Sequence, residues 1–585
     1  MTGADAPKHL FRSVVGLCRP QILAAGLFSL VVNVLMLTTS LYMMQVYDRV
    51  LGSRSVETLL YLTLMAVGAL MVLGYLDSVR SRIAARCAIW FETVLAPETV
   101  ARAVEAQLRG SPYRTEGLTD LTAVRQFVMG SSLFAFFDTP WIPIYLAVCF
   151  LLHPWLGAVA LAGALVLLAL AVLGEVVTAG TLKASNEAAM ANSRQVQAAI
   201  RNAEVIDGLG MLPALLDRYE PRMLRVLQAQ QEAFDRSNVL MGTAKFFRQA
   251  VQVLALAVGA GLVLDHQLSP GAMFAGSIIL GRALAPVEQL LGVWKGFVGA
   301  RNSFRRLARF LGEPSLRDAG QAPPPPEGRL TVEQVGYAIP GQERPILRNV
   351  GFSLNPGEVL AVIGPTAAGK TTLVRMMVGV QRPMSGRVRL DGADVFSWPR
   401  EDLGRHIGYL PQDVELFEGT VFDNIARFQQ TEPDRVYEAA RLAGCHEMIL
   451  RLPKGYDTEV GEAGAHLSGG QRQLIGLARA LFGRPRFVVL DEPNANLDGN
   501  SEQALMQAIA ALKADGTTVV VVSHRAGLMA GVDKVLVLRD GMVEAFDTRD
   551  VVLQRLGAAR IRQRPSSAPQ PIESPQTTQT KEATP

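Results

Sequence analysis

Cysteine is nearly absent. The four thiols, Cys18, Cys87, Cys149 and Cys445, lie too far apart for a CxxC or Cys/His ligand set, which argues against a disulfide framework or zinc site and leaves ordinary buried thiols. Charge is also thin, at 19% of residues, and no dense Lys/Arg block appears, so nothing suggests a nucleic-acid partner. A short apolar run followed by a cleavage site is missing too. Hydrocarbon takes the place of charge: 49% of the 585 residues are hydrophobic and the mean hydropathy is +0.22. A membrane protein of two or more domains is the expectation.

Six apolar stretches of spanning length fall at about 21–41, 57–76, 131–152, 155–174, 246–264 and 271–291. The segments after the second and fourth are long, helical in pattern and basic (Arg80, Arg82, Arg86; Lys183, Arg194, Arg201, Arg218, Arg222, Arg225). The positive-inside rule places them in the cytoplasm with the N-terminus, residues 1–20, and its Lys8, Arg12 and Arg19. The opposite loops, YDRVLGSRSV, the His153-Pro154 turn and DHQLSP, are too small to be domains. A membrane domain of six helices with long cytoplasmic extensions, 21–310, is thus followed by a Pro-rich linker, 311–328. From 329 to about 555, short β-rich runs alternate with helical segments, as in an α/β domain. The tail 564–585 has almost no apolar content and is expected to be disordered.

Within the α/β part, EVLAVIGPTAAGKTTL sets a GxxxxGK[ST] loop between a strand and a helix. Gly364, Pro365, Thr366, Ala367, Ala368 and Gly369 form a loop whose backbone N–H groups close on phosphates; Lys370 adds a cation, and Thr371, followed by Thr372, offers a hydroxyl to magnesium. FVVLDE supplies the other half, with Asp491 suited to hold Mg2+ and Glu492 to act as general base.

LSGGQ, from Leu467 through Ser468, Gly469 and Gly470 to Gln471, resembles the signature of ATP-binding cassette (ABC) ATPases, and further family elements stand in the family's order. These are Tyr337, Gln412 in YLPQD, the GEAG segment, NANLDG with Asp498, and His524 in VVSHR. The resemblance implies that Tyr337 stacks on adenine, that Gln412 senses magnesium and that His524 links the γ-phosphate to Glu492. It also implies that the signature acts in trans and that Asp498 bridges the two sites. One cassette per chain then requires a dimer, most simply a homodimer, with ATP and Mg2+ as cofactors.

Six spans and one cassette resemble the ABC exporter architecture. SLYMMQVYDRVLGSRSVETL, FFDTPWIPIY and LGRALAPVEQLLGVWKGFVGARNSFRRL look like the exporters of bacterial type I secretion systems for metalloproteases, lipases and S-layer proteins. That resemblance implies a multi-pass protein of the bacterial inner membrane, exporting a protein with an uncleaved C-terminal signal. Its partners are then a periplasmic adaptor, an outer-membrane channel, the secreted substrate and membrane lipid. Barely twenty residues precede the first span, so no leader-cleaving domain is expected. The alternatives are a lipid or small-molecule exporter and an ATP-gated channel or regulator; intact Glu492 and His524 speak against the last.

Asp138 and Arg282 are the two clearest ionisable residues within predicted spans. Asp138 is about 10 Å from the cytoplasmic start of the third span, and Arg282 about 16 Å from the outer start of the sixth. In a core of about 30 Å these depths nearly coincide, so the two are expected to point into the bundle and pair or line a hydrated path. In FAFFDTPWIPIY, Thr139 is expected to cap a new helical segment begun by Pro140, with Pro143 cutting the bond back to Thr139, giving a kinked or broken third helix.

Overall fold

The computed structural model describes residues 6–111, 113, 115–317, 322–339, 341, 344–523 and 527–562. The chain divides into two compact units that meet at Ser315 and Leu316.

The first unit is helical and, among the described residues, has six helices long and apolar enough to cross a membrane: Ser13–Ser53, Val56–Leu108, Ser132–Leu152, Pro154–Gly174, Leu212–Leu264 and Pro270–Gly312. Each outer turn is closed by side chains that satisfy helix N-termini, whose first N–H groups have no intrahelical partner. Ser55 Oγ accepts from Thr58 N at 3.3 Å. His153 Nδ1 accepts from Trp155 N at 3.2 Å, just ahead of Pro154 at the first helical position. Ser269 Oγ accepts from Ala272 N at 3.1 Å. Asp48, in a π-helical turn over Val46–Val50, reinforces the last of these by accepting from Ser269 Oγ at 2.6 Å and Gly271 N at 2.8 Å. The first outer loop therefore anchors the start of the sixth span.

The interruption in the third span is real but differs in kind from the expectation. A helix over Ser132–Asp138 tightens into a 3₁₀ turn at Thr139–Trp141 and resumes as α-helix over Ile142–Leu152. Thr139 does not cap. Its φ/ψ of −58°/−43° is helical, whereas a cap needs extended backbone, and its hydroxyl donates back to Ala135 O at 2.6 Å. Pro140 is absorbed by overwinding the turn, and Pro143 sits in the first turn of the helix that resumes at Ile142.

The second unit holds two sheets. A four-stranded antiparallel sheet runs in the order β2 (Leu347–Leu354), β1 (Leu330–Tyr337), β4 (Ser385–Leu390), β5 (Ala393–Asp394). A six-stranded sheet runs in the order β10 (Met542–Thr548), β9 (Lys534–Arg539), β3 (Val359–Ile363), β8 (Thr518–Val522), β7 (Phe487–Asp491), β6 (Ile407–Leu410). All its pairings are parallel except β9 with β10. Its inner strands are buried on both faces, so VLAVI, FVVLD and TVVVV carry almost unbroken apolar runs. Apolar cores lie on both sides, one around Leu410, Ile475, Leu490 and Val521, the other around Leu360, Leu373, Val489 and Leu536.

Candidate functional site

Parallel strands deliver their C-terminal ends to one edge of a sheet, where loops gather and ligands bind. β3, β6, β7 and β8 are parallel, and the phosphate loop, Gln412, Asp491–Glu492 and Ser523 follow their ends in turn. His524 itself lies outside the described residues.

The loop from Gly364 to Gly369 turns into the Lys370–Met377 helix. Gly369 sits at φ +97°, and a Cβ there would meet Leu347 Cδ2 at 2.7 Å; at Gly364 a Cβ would collide with Leu538 O. Only glycine lets the loop lie this close to the sheet. Thr366 and Ala367 are exposed at the loop crest, while Ala368 is buried beneath it. Lys370, 8% exposed, donates through Nζ to Gly364 O at 2.8 Å and Pro365 O at 3.0 Å. Its charge is thus held against the loop at a helix N-terminus, an arrangement that attracts phosphate.

Asp491 closes β7 with no exposed surface, and neither carboxylate oxygen completes a hydrogen bond, although Thr371 faces it. Burial pushes its pKa up, and Glu492 adds to this; Thr371, Arg375 and Lys370 pull the other way. A buried carboxylate left unpartnered is costly and fits a divalent cation held jointly with Thr371, since hard cations take oxygen ligands. Arg375 is a neighbour the sequence reading missed. It lies beside Tyr409 as well, whose phenol is driven up chiefly by burial.

Glu492 stands at φ +50°, a left-handed geometry that costs non-glycine residues about 1–3 kcal/mol and gathers at active sites. Its amide donates to Val522 O at 3.0 Å, and its Oε2 accepts from Gln412 Nε2 at 3.1 Å. Two sequence-selected side chains thus meet.

The signature opens the Gly469–Leu481 helix. Ser468 accepts from Gln471 N at 3.3 Å while Gln471 Oε1 accepts from Ser468 N at 2.8 Å, a reciprocal capping box. Leu467 is buried beneath it, Ser468 is exposed, and Gly469 and Gly470 are partly exposed. Gln473 Nε2 donates to Pro493 O at 3.1 Å, tying this helix to the loop after Glu492. Asp498 caps the Gly499–Ala514 helix, accepting from Ser501 N at 2.8 Å, which lowers its pKa. Tyr337 is half-buried at the end of β1, and Thr372 continues the helix after Thr371.

In the membrane unit, Asp138 and Arg282 do not pair. Asp138 Oδ1 accepts instead from Arg80 NH1 at 2.9 Å, Asn33 Nδ2 at 2.8 Å and Ser29 Oγ at 2.9 Å. Arg80 also donates to Ser29 Oγ at 2.6 Å and Asp77 Oδ1 at 2.8 Å, and lies over the Phe134 ring at 4.5 Å. Tyr145 extends the cluster through its hydroxyl, which donates to Asn33. The reason is direction: side chains lean toward a helix N-terminus, so Arg80, on a helix entering from the outer side, reaches back into the membrane. Arg282 is exposed and forms no ion pair among the described residues.

A phosphate loop, a strand-end acid pair and an LSGGQ helix on one parallel sheet, joined in sequence to six spanning helices, define an ATP-driven transporter. The profile of "ABC transporter" matches residues 347–495 and that of "ABC transporter transmembrane region" residues 115–284; the chain belongs to the ABC transporter family and is a multi-pass membrane protein that binds ATP and couples its hydrolysis, in a cytoplasmic ATPase domain, to transport. Its backbone is similar to that of a bacterial Atm1-family ABC exporter with ATP bound, with a TM-score of 0.81 over 94% of this chain and 99% of that one at 21% identity. More particularly, it is 41% identical, over 92% of its length and 93% of the relative's, to the type I secretion system ATP-binding protein PrsD of Rhizobium meliloti (strain 1021). It is 28% identical to the cyclolysin secretion/processing ATP-binding protein CyaB of Bordetella pertussis (strain Tohama I), over 90% of this chain and 75% of that one. To the leukotoxin translocation ATP-binding protein LktB of Mannheimia haemolytica it is 27% identical over the same shares. This likeness places it among type I secretion ATP-binding proteins.

Proposed function

We propose that the chain works as a homodimer in a bacterial inner membrane and exports a protein bearing an uncleaved C-terminal signal, together with a periplasmic adaptor and an outer-membrane channel. The observation that carries this reading is the 41% identity to PrsD along 92% of the chain. The small outer turns support it, since they offer no conduit beyond the membrane.

In this reading each nucleotide lies between the phosphate loop of one protomer and Ser468, Gly469 and Gly470 of its partner. The loop amides and Lys370 bind the phosphates, and Tyr337 supports the adenine. Thr371, Asp491 and Gln412 hold Mg2+, which neutralises charge on the phosphate oxygens when bound. Glu492, steadied by Gln412, takes the proton of the attacking water; His524 orients Glu492 and the γ-phosphate. Asp498 links the two sites.

Vesicle export tests the assignment. A substrate with its C-terminal segment should be transported in an ATP-dependent way, and the Glu492→Gln variant should bind ATP but not turn over. Equal transport of the truncated substrate would overturn the secretion reading.

A further inference from the structure

We infer that the membrane unit carries a binding site for an anionic phospholipid at the cytoplasmic ends of the fourth, fifth and sixth spans. A cavity of about 220 Å3 lies there, lined by Ala171 and Gly174 from the fourth, by Phe234, Ser237, Asn238 and Met241 on the helix leading into the fifth, and by Leu291, Trp294 and Lys295 leaving the sixth. Its depth follows from the sequence: Gly174 and Leu291 are the last residues of their apolar runs, and Met241 lies just before the fifth. The site is therefore at headgroup level, where aromatic and basic side chains anchor to lipid.

The lining chemistry selects the ligand. Its polar side chains are Ser237, Asn238, Trp294 and Lys295, all capable of donating a hydrogen bond, and no Asp or Glu is among them. The Trp294 indole N–H is buried without a hydrogen-bond partner. The Lys295 ammonium rests over the Phe234 ring at 4.2 Å and makes no ion pair among the described residues. Four donors with one uncompensated cation match an acceptor-only group of negative charge, a phosphate. The remaining lining, including Phe234, Leu240, Met241 and Leu291, is apolar and suits an acyl chain. A free phosphate satisfies the first half of the site, a phospholipid both.

The experiment is native mass spectrometry of the full transporter, delipidated and then titrated with phosphatidylglycerol, phosphatidylcholine or inorganic phosphate. The expected result is one tightly held phosphatidylglycerol per chain, at least tenfold weaker with phosphatidylcholine and with inorganic phosphate. Lys295→Gln should lose the preference for phosphatidylglycerol and Lys295→Arg should restore it, with ATP turnover in detergent unchanged in both. Equal retention of both lipids, or a preference that survives Lys295→Gln together with Trp294→Phe, overturns the proposal. So does displacement of phosphate, but not lipid, by the variants, which would leave a simple anion site. Tighter capture of a C-terminal signal peptide than of lipid would reassign the cavity to substrate.

Discussion

Removing the carboxylate of Asp138 should damage the membrane unit more than removing the whole ion pair. Three donors converge on its Oδ1, from Ser29, Asn33 and Arg80, and the Arg80 side chain is only 6% exposed. In Asp138→Leu the guanidinium keeps Ser29 and the half-exposed Asp77 but loses its buried counter-charge, and Asn33 keeps only Ser29 O as acceptor. Breaking one partner of a buried pair costs about 3–5 kcal/mol, whereas replacing both by apolar groups of similar volume is often close to neutral. At about 2–4 °C per kcal/mol for domains of roughly 150–250 residues, Asp138→Leu should lower the melting temperature by at least about 6 °C. The double variant Arg80→Met/Asp138→Leu should return to within about 3 °C of the parent. Thermal melts in one fixed detergent, with fluorescent-nucleotide binding as a check on the ATPase unit, provide the assay. If the double variant melts no higher than Asp138→Leu, or Asp138→Leu does not shift, the two residues are not coupled and the reasoning fails.

Further expectations concern the ATPase unit. Burial raises the pKa of Asp491 above the ordinary carboxylate range, so between its unfolded and folded values the folded state holds more protons than the unfolded one and stability falls as pH rises. Metal-free melts of the full chain from about pH 4 upward should show that slope, and Asp491→Asn should flatten it; identical slopes would deny the buried charge its role. Gly364→Ala should weaken ATP binding at least about tenfold, because its Cβ collides with Leu538 O; unaltered nucleotide affinity would contradict the close approach. Mixing Lys370→Ala with Ser468→Arg chains, each inactive alone, should regain up to about a quarter of parental ATPase activity, since half the random dimers then hold one intact composite site. No recovery would mean that each site is built within one chain.

Legibility followed the range of the forces involved. The phosphate loop and the LSGGQ cap are local devices: Gly364 and Gly369 are dictated by backbone approach, and Ser468 and Gln471 satisfy each other three residues apart. Both announce themselves in short strings. The six spans are equally plain, because apolar length is additive along the chain. Arg80 was hidden because its partner lies 58 residues away, and in sequence it reads as one more cytoplasmic charge. The available signal was in the first span, where Ser29 and Asn33, four apart, put two polar groups on one helical face at membrane depth. Matching depths suggested Arg282 for Asp138, but depth alone carries no azimuth around a helix. Thr139 was misread because a cap and a back-bonded threonine differ only in backbone angles.

The Asp138 cluster also fixes a point of leverage. Arg80 clamps the Val56–Leu108 helix to the first span and to the overwound turn at Thr139, and from Arg80 to Leu108 a helix reaches about 40 Å. A tilt of about 5° around that clamp would move the far tip by roughly 3–4 Å, the scale of a packing shift between helices. The buried pair is placed as a fulcrum: a small rocking of the spans would become a stroke at the tip of a long arm, and distance measurements between spin labels near Leu108 and Ser29 would record that stroke in the Arg80→Met/Asp138→Leu variant and its parent.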